Sequence, residues 1–558
     1  MKNATRTKTS KMVRTLLLGV FVSSFALSSL SPAFAEGEDR RMQLAPGARQ
    51  SEEERRIAIE QQKLPFPDLG FCSQLKDEKL YRGGDKVMRV IYVGKGGWLY
   101  RSLDFRTDYT MSQDTLDSMQ RLKDRLKEKG TELYIVLQPS RAVVANKHID
   151  PKEMPEGYDW QVAKKNYQGL ISTLQGLGIN ITDLSSPPDD FEYFFKGDPH
   201  WRREGANWSA QQVAKLVLQH PLFKTKEKEE FSNEITWWLE SEKGEFDEFV
   251  EKVCKVIVPP ERRPMWATTA LTQVTSADAL FGDVTYPDIA IVGTSNTAHE
   301  EDFNFVGSLK LALKSDIRNR AMSAGGFGGA GVVFFSTDEF QDYPPKILLW
   351  EFLSHHTFED PVAFRQMIPA VSGKCSGENL LASAEKAFAP PPPESTKEDS
   401  VQPASADQAA ATAPQAGEGT PAQEAVTPQK PPVAEPSTLA VYGPELPNAK
   451  KRKKKYEAMN EVMFFDNLDT QNVMAQGSYL ELEVTQPESR QIKIGVLYDN
   501  GEAEEVDVSR SIRAENNGRY FLEFDQKYAG KVVMVQIATD KPKGQIKAQI
   551  CKYKDGNI

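Results

Sequence analysis

Two short stretches carry residue types that could do chemistry together. The first is Gly197-Asp198-Pro199-His200-Trp201-Arg202-Arg203-Glu204-Gly205, in which an acidic residue stands two positions before a histidine. A carboxylate beside an imidazole is two-thirds of a nucleophilic triad: the carboxylate orients the ring, and the ring takes a proton from a hydroxyl. The second is Val292-Gly293-Thr294-Ser295-Asn296-Thr297. Ser295 follows a buried-type strand and precedes a helix, so its hydroxyl should emerge at the carboxyl edge of a parallel sheet, where α/β sites form. Backbone N–H groups of the next turn would lie near any oxyanion formed there. Ser295 is therefore the expected nucleophile, His200 the general base and Asp198 the residue that orients it.

The flanking elements suit that task. Val87 to Val93 reads as a strand, followed by Gly94-Lys95-Gly96-Gly97-Trp98-Leu99-Tyr100, a turn expected to present Trp98. The glycines are not a phosphate loop, since no Lys-Ser/Thr follows at the required spacing. Ser112 to Lys129 is a charged amphipathic helix stopped by Gly130. Glu132 to Leu137 is a buried-type strand, Val162 to Leu177 a helix stopped by Gly178, and Ile179 to Leu184 a second strand. The Asp198/His200 turn and a helix from Ala206 to Leu218 come next. Asp288 to Gly293, a helix from Phe303 to Arg318, a short strand Ala321 to Ala324 before Gly325-Gly326, and a strand Lys346 to Phe352 complete the series. Alternating strands and helices predict a parallel sheet covered on both faces. Residues 221–285 break the rhythm and read as a charged, aromatic, helical insertion packed over the core.

The outer segments differ in kind. Residues 1–35 have a basic start, an apolar run from Leu16 to Leu30 and the small-x-small site Ala33-Phe34-Ala35, which predicts a cleaved signal peptide and a periplasmic protein. Residues 36–66 read as a loose polar arm. Residues 388–455 are rich in Pro, Ala, Glu, Thr and Gln and end in the basic cluster Lys450 to Lys455, a linker that buries no core. That cluster is read as a solvated linker end, with polyanion or anionic-membrane binding as the alternative. Short alternating runs from Met463 onward, with turns at Asp499-Asn500-Gly501 and Asn516-Asn517-Gly518, predict a β-sandwich over 456–558. The net charge of −10 argues against nucleic acid as a partner. Four well-separated cysteines, Cys72, Cys254, Cys375 and Cys551, suggest two disulfides in an oxidising compartment, in any of three connectivities. His355-His356 near Glu351 does not complete a metal site. His299, one helical turn after Ser295, is the competing base.

The order of blocks resembles that of SGNH-type esterases with the starting point moved. In those enzymes a Gly-Asp-Ser block comes first, an oxyanion glycine and an asparagine follow, and Asp-x-x-His comes last. Here the Ser295, Gly325/Gly326 and Trp350-Glu351 blocks keep that order, while the Asp198/His200 block precedes them. Two departures, the two-residue Asp-to-His spacing and the missing Gly-x-Asn-Asp, point to one subfamily. Gly94 to Tyr100, Gly197 to Trp201, Gly293-Thr294-Ser295 and Phe303-Asn304-Phe305 resemble the periplasmic alginate O-acetyltransferases of the AlgX/AlgJ type, over residues of about 70–380.

The resemblance implies a three-layer α/β domain over 67–387 and a carbohydrate-binding C-terminal domain. It also implies disulfides Cys72–Cys254 and Cys375–Cys551. It implies acetyl transfer through an acetyl-serine onto hydroxyls of an anionic, alginate-like exopolysaccharide, without metal or cofactor. The acetyl group would be relayed by a membrane-bound O-acyltransferase within a periplasmic synthesis and export complex. The Ser295 backbone and Gly326 are the expected oxyanion donors. Arg141, Trp201, Arg202, Arg203, Arg490 and Lys493 are the expected groove for a polyuronate. Two other functions suit the same residues: a carbohydrate esterase that removes acetyl groups, and a non-catalytic scaffold of an export complex.

Overall fold

The computed structural model describes residues 52–554 except 71, 84–85, 87, 240–242, 272–285, 357–359, 376, 389–459, 486–488 and 541–543. The expected signal peptide and nearly all of the linker fall outside the described residues. Within them no helix is long and apolar enough to cross a membrane.

The first element among the described residues is α1 (Glu52–Gln62), within the segment expected as a loose arm. Its run of Glu, Arg, Ala and Gln has high helix propensity, and Ala58 on it is buried. A two-stranded hairpin follows, β1 (Ile91–Val93) and β2 (Leu99–Arg101). Gly96 and Gly97 take positive φ in its turn. Trp98 is not presented outward: it is fully buried and stacks on His148, ring centroids 4.4 Å apart.

Helix α2 (Gln113–Glu128) starts where the Ser112 hydroxyl accepts from the Thr115 N–H, and it ends before Gly130, whose positive φ turns the chain. Strand β3 (Glu132–Gln138), helix α3 (Trp160–Gly176) and strand β4 (Asn180–Ile181) come next, then α4 (Arg203–Val217). The insertion holds β5 (Phe231–Leu239), α5 (Glu245–Cys254) and β6 (Arg263–Ala270), with β5 and β6 paired antiparallel. The expected helical insertion is therefore half ribbon. Its strands run through Ile, Thr and Trp, residues that favour a pleated surface. The core resumes with β7 (Ile289–Val292), α6 (Phe305–Leu313), β8 (Arg318–Asn319), α7 (Gly329–Phe335), β9 (Ile347–Leu353) and α8 (Pro361–Ser372). Left-handed residues Asn304 and Lys314 bound α6, shorter than its apolar pattern suggested. The short strand expected at 321–324 lies at 318–319 instead, and Ala324 with φ +58° turns the chain beyond it.

The main sheet runs β4-β3-β9-β7-β8, with every pair parallel. Its side chains alternate between two apolar clusters. Leu133, Ile135, Leu348, Trp350, Ala290 and Val292 meet α2, α3, α7 and α8. Tyr134, Val136, Ile347, Leu349, Ile289 and Ile291 meet α4 and α6. Both faces are thus covered, as buried parallel strands require.

The C-terminal unit is a sandwich of two four-stranded sheets. One contains β10 (Leu380–Phe388), β12 (Ser478–Val484), β15 (Arg519–Glu523) and β17 (Gly544–Lys552), in the order β10-β17-β12-β15. The other contains β11 (Asn460–Phe465), β13 (Ile492–Tyr498), β14 (Ala503–Asp507) and β16 (Val532–Thr539), in the order β11-β16-β13-β14. Strand β10 precedes the linker yet pairs with β17, the last strand, so residues 380–387 lie in the sandwich rather than the first domain. Disulfides Cys72–Cys254 and Cys375–Cys551 are both formed, in the expected pairing, and fit an exported protein. The second joins the two units. Arg365 on α8 also forks onto Glu504 at 2.7 and 2.8 Å, and Arg121 pairs with Glu523.

Candidate active site

The Asp198–His200 loop is pinned at its neck by a bridge between Phe194 and Trp201. Pro199 fixes one φ within it. Asp198 Oδ1 accepts from the His200 backbone N–H at 2.9 Å and from His200 Nδ1 at 2.6 Å. A carboxylate that binds the N–H two residues on forms an Asx-type turn. That turn explains the two-residue spacing: the same oxygen shapes the loop and holds the ring. Gly205 in the following helix sits where a Cβ would lie 2.4 Å from the Tyr193 carbonyl oxygen, so the loop requires a glycine there.

The serine lies at the start of a single helical turn, Ser295–Ala298, directly after β7. Thr294 caps that turn, its hydroxyl accepting from the Asn296 N–H at 3.3 Å. Beneath it the fully buried Glu351 accepts from Thr294 N–H at 2.8 Å and from Thr297 Oγ1 at 3.1 Å. Burial pushes the Glu351 carboxyl above its ordinary range, against the opposing pull of those hydrogen bonds. Ser295 Oγ is 2.8 Å from His200 Nε2. The three expected residues therefore form one hydrogen-bonded chain, with Asp198 and His200 0% and 4% exposed. Phe303 lies over the His200 ring, centroids 4.9 Å apart and planes 20° apart.

His299 does not reach the same proton. Its Nε2 lies 2.9 Å from Ser323 Oγ, and its Nδ1 is 3.6 Å from Asp302. The Met322 N–H donates to the Gly293 carbonyl at 2.9 Å, so Met322–Ser323 is the part of the glycine loop level with the nucleophile strand. Gly326 stands three residues further on, at φ +60°.

Two members of the expected sugar groove, Arg141 and Trp201, are buried, and the other four are half-buried with partners within the chain. Arg141 is buried, and its guanidinium binds main-chain carbonyls: Leu99 and Asp198 at 2.8 Å each, with Phe195 and Lys196 closer still. It ties the catalytic loop to β2 and has no donor left facing solvent. Trp201 is also buried. Its ring N–H donates to the Asn296 carbonyl at 3.0 Å and its backbone N–H to Asn296 Oδ1 at 3.2 Å, which locks the Asp198–His200 loop to the serine turn. Arg202 pairs with Glu261 at 2.9 Å, and Arg203 covers the Trp266 ring at 4.3 Å. On the sandwich, Arg490 binds the carbonyls of Ser511 and Ala514 at 2.8 and 2.6 Å. Lys493 sits 3.4 Å from Asp507 and 3.5 Å from Glu505.

Three charged groups packed against the loop left no sign in the sequence. Arg263 Nη2 is 3.1 Å from Asp198 Oδ2. Glu261 accepts from the Lys196 and Gly197 N–H groups at 2.6 and 3.3 Å. Asp247 is buried and its carboxyl is pushed up to about 7, first by burial and then by Glu261. The one hint was glycine usage. A Cβ on Gly197 would lie 1.9 Å from the Asp247 carboxylate, and one on Gly244 1.9 Å from the Gly197 carbonyl oxygen.

Among the described residues the one group with metal-like spacing is Cys375, Glu481 and Cys551, whose cysteines are bonded to each other. His355 Nε2 lies 3.2 Å from Arg101 Nη2, and burial lowers the neighbouring His356 to about 4.

The fold is shared with known proteins. Residues 91–354 match the family described as the SGNH hydrolase-like domain, acetyltransferase AlgX, and residues 447–557 match a C-terminal carbohydrate-binding module. The chain is 37% identical over 290 residues to the alginate biosynthesis protein AlgX of Pseudomonas aeruginosa, a match covering 51% of this chain and 60% of that protein. It is 27% identical over 287 residues to the probable alginate O-acetylase AlgJ of Pseudomonas fluorescens, covering 50% and 70% respectively. The solved structure of Pseudomonas aeruginosa AlgX superposes with a TM-score of 0.65 at 24% identity, covering 86% of this chain and 99% of that one, a likeness of fold.

Proposed function

We propose that this chain, which resembles proteins of the AlgX/AlgJ type, transfers acetyl groups onto hydroxyls of an alginate-like exopolysaccharide. The observation that carries the reading is the hydrogen-bonded series Asp198–His200–Ser295 at the carboxyl edge of a parallel sheet, joined covalently to a carbohydrate-binding-module-like sandwich.

In the first half-reaction His200 Nε2 takes the Ser295 proton as Oγ attacks the donor acetyl carbonyl. The imidazolium then returns that proton to the leaving group, and acetyl-Ser295 remains. In the second half-reaction a sugar hydroxyl gives its proton to His200 and attacks the acetyl-serine carbonyl. Ser295 Oγ leaves and recovers the proton. Asp198 keeps the ring aimed and balances its transient charge. General-base assistance of this kind is worth about 10²–10⁴-fold. The N–H of Ser295 opens a helical turn and supplies one oxyanion donor, worth about 2.7–4 kcal/mol; Gly326 is the proposed second.

Transfer requires the sugar hydroxyl to outcompete water at the acetyl-serine. A polymer held on the sandwich would raise the local hydroxyl concentration. The donor acetyl is proposed to arrive from a membrane-bound acyltransferase, and the polymer from other members of a periplasmic assembly. Incubation with an acetyl ester and polymannuronate tests the reading. Acetylated polymer supports a transferase, whereas release of acetate alone indicates a carbohydrate esterase.

A further inference from the structure

The two oxygens of Asp198 are divided between different partners. Oδ1 holds His200, as described. Oδ2 takes Arg263 Nη2 at 3.1 Å and the Glu245 backbone N–H at 3.3 Å. Arg263 is 1% exposed, stands at the first position of β6, and lays its guanidinium over the Phe195 ring at 4.1 Å. Asp247 on α5 lies within the fields of Asp198, Arg263 and Glu261, the last just before β6. The remaining groups near the pair are Arg141, which bonds the Asp198 carbonyl, Arg202 on Glu261, Glu351 beneath the serine turn, and His299, its ring 6.2 Å from that of His200.

We propose that Arg263 is a positioning residue of this site: it fixes Asp198 Oδ2 so that Oδ1 aims His200 at Ser295. The inference rests on the triad reading above. A carboxylate bonded through one oxygen can rotate about its Cβ–Cγ bond; here the other oxygen is held too, by Arg263 Nη2 and the Glu245 N–H, which opposes that rotation. The guanidinium also offsets the negative field of Asp198 and Glu261 at the imidazole. Without it that field would favour the protonated ring, which cannot accept the serine proton. The β5–α5–β6 insertion, anchored through Cys254 to Cys72, is on this reading part of the site.

The test is hydrolysis of p-nitrophenyl acetate by the full chain across pH, a half-reaction that needs the triad but no sugar. Arg263→Met is expected to lower kcat about 10²-fold with KM within about threefold. It should also move the acidic limb of the pH–rate profile up by about one unit. Arg263→Lys keeps the charge but loses the rigid planar guanidinium that lies over Phe195, so the limb should return while kcat stays about tenfold low. A folded Arg263→Met with wild-type kcat and limb overturns the proposal, as does a lowered melting temperature with both unchanged. If Arg263→Met does not fold, Arg263→Lys decides alone: reduced kcat at constant KM supports the role, and wild-type kcat overturns it. Ser295→Ala in the same assay separates the two readings. If hydrolysis survives that change the triad reading fails; if it is abolished while the Arg263 variants behave as wild type, the positioning role alone fails.

Discussion

Glu351 grips Thr294 with both carboxylate oxygens: the Thr294 hydroxyl donates at 2.9 and 3.2 Å, and its backbone N–H donates at 2.8 Å. The residue before Ser295 is thus fixed from inside the sheet. Gly293 makes room for this, since a Cβ there would lie 2.7 Å from Glu351 Oε2. Glu351→Ala would strand the Thr294 N–H and the hydroxyls of Thr294 and Thr297. The expected cost is about 2–4 kcal/mol in denaturant unfolding, with ester hydrolysis falling at least about tenfold. Glu351→Gln keeps an acceptor and should cost about 1 kcal/mol or less.

The close approach of Gly244 to Gly197 sets the height of α5 over the catalytic loop. Gly244→Ala places a methyl 1.9 Å from the Gly197 carbonyl oxygen and 2.8 Å from Asp198 Cβ. Backbone must move to admit it. We expect a loss of about 1–3 kcal/mol in stability and a fall in kcat of about 10²-fold through displacement of Asp198. Thermal melts and ester kinetics on the purified variant check both.

Asp247 makes stability depend on pH. Its folded carboxyl sits near 7, above the usual 3.8, through burial first and then the Glu261 charge. Between those values the native state binds more protons than the unfolded chain, so stability falls as pH rises from about 4 to about 7. Asp247→Asn keeps an oxygen for the Gly244 N–H, now at 3.1 Å from Oδ2. It should stabilise the protein by at least about 1 kcal/mol at pH 8 and by little at pH 4. Melting temperatures at the two pH values would refute this if the difference ran the other way.

The parallel sheet was legible because β3, β7 and β9 are apolar on both faces, a pattern few other elements share. The meeting of Asp198, His200 and Ser295 was legible because two of them share one turn and the third follows a strand. The groove failed for a physical reason: a sequence does not say whether an arginine is solvated or spent on carbonyls, as Arg141 is. Arg263 left no signal, because its partner Asp198 is distant in the chain and the ribbon carrying it was read as helix. Strand β10 was missed because a long linker separates it from β17, against which it pairs.

The contacts that hold the two units include the Cys375–Cys551 bond, the Arg365–Glu504 fork, Arg121–Glu523, Arg519–Asp338 and a shared apolar cluster. Arg365→Ala also removes a bond to the Glu523 carbonyl at 2.7 Å. We expect p-nitrophenyl acetate hydrolysis to stay within about twofold, while acetylation of polymannuronate falls about threefold as the seat of the sandwich on α8 loosens. Equal losses in both assays would mean that the interface supports the first domain's fold rather than polymer presentation.

The central claim is that an acetyl group passes through Ser295 to a sugar hydroxyl. Rapid acid quench of the full chain with an acetyl ester, followed by mass spectrometry of the peptide holding Ser295, tests it most directly. The account predicts acetyl on Ser295, its accumulation in His200→Ala reduced at least about 10²-fold, and its chase onto polymannuronate when polymer is added. An unmodified Ser295 peptide beside acetylated polymer, or full polymer acetylation by Ser295→Ala, would contradict it.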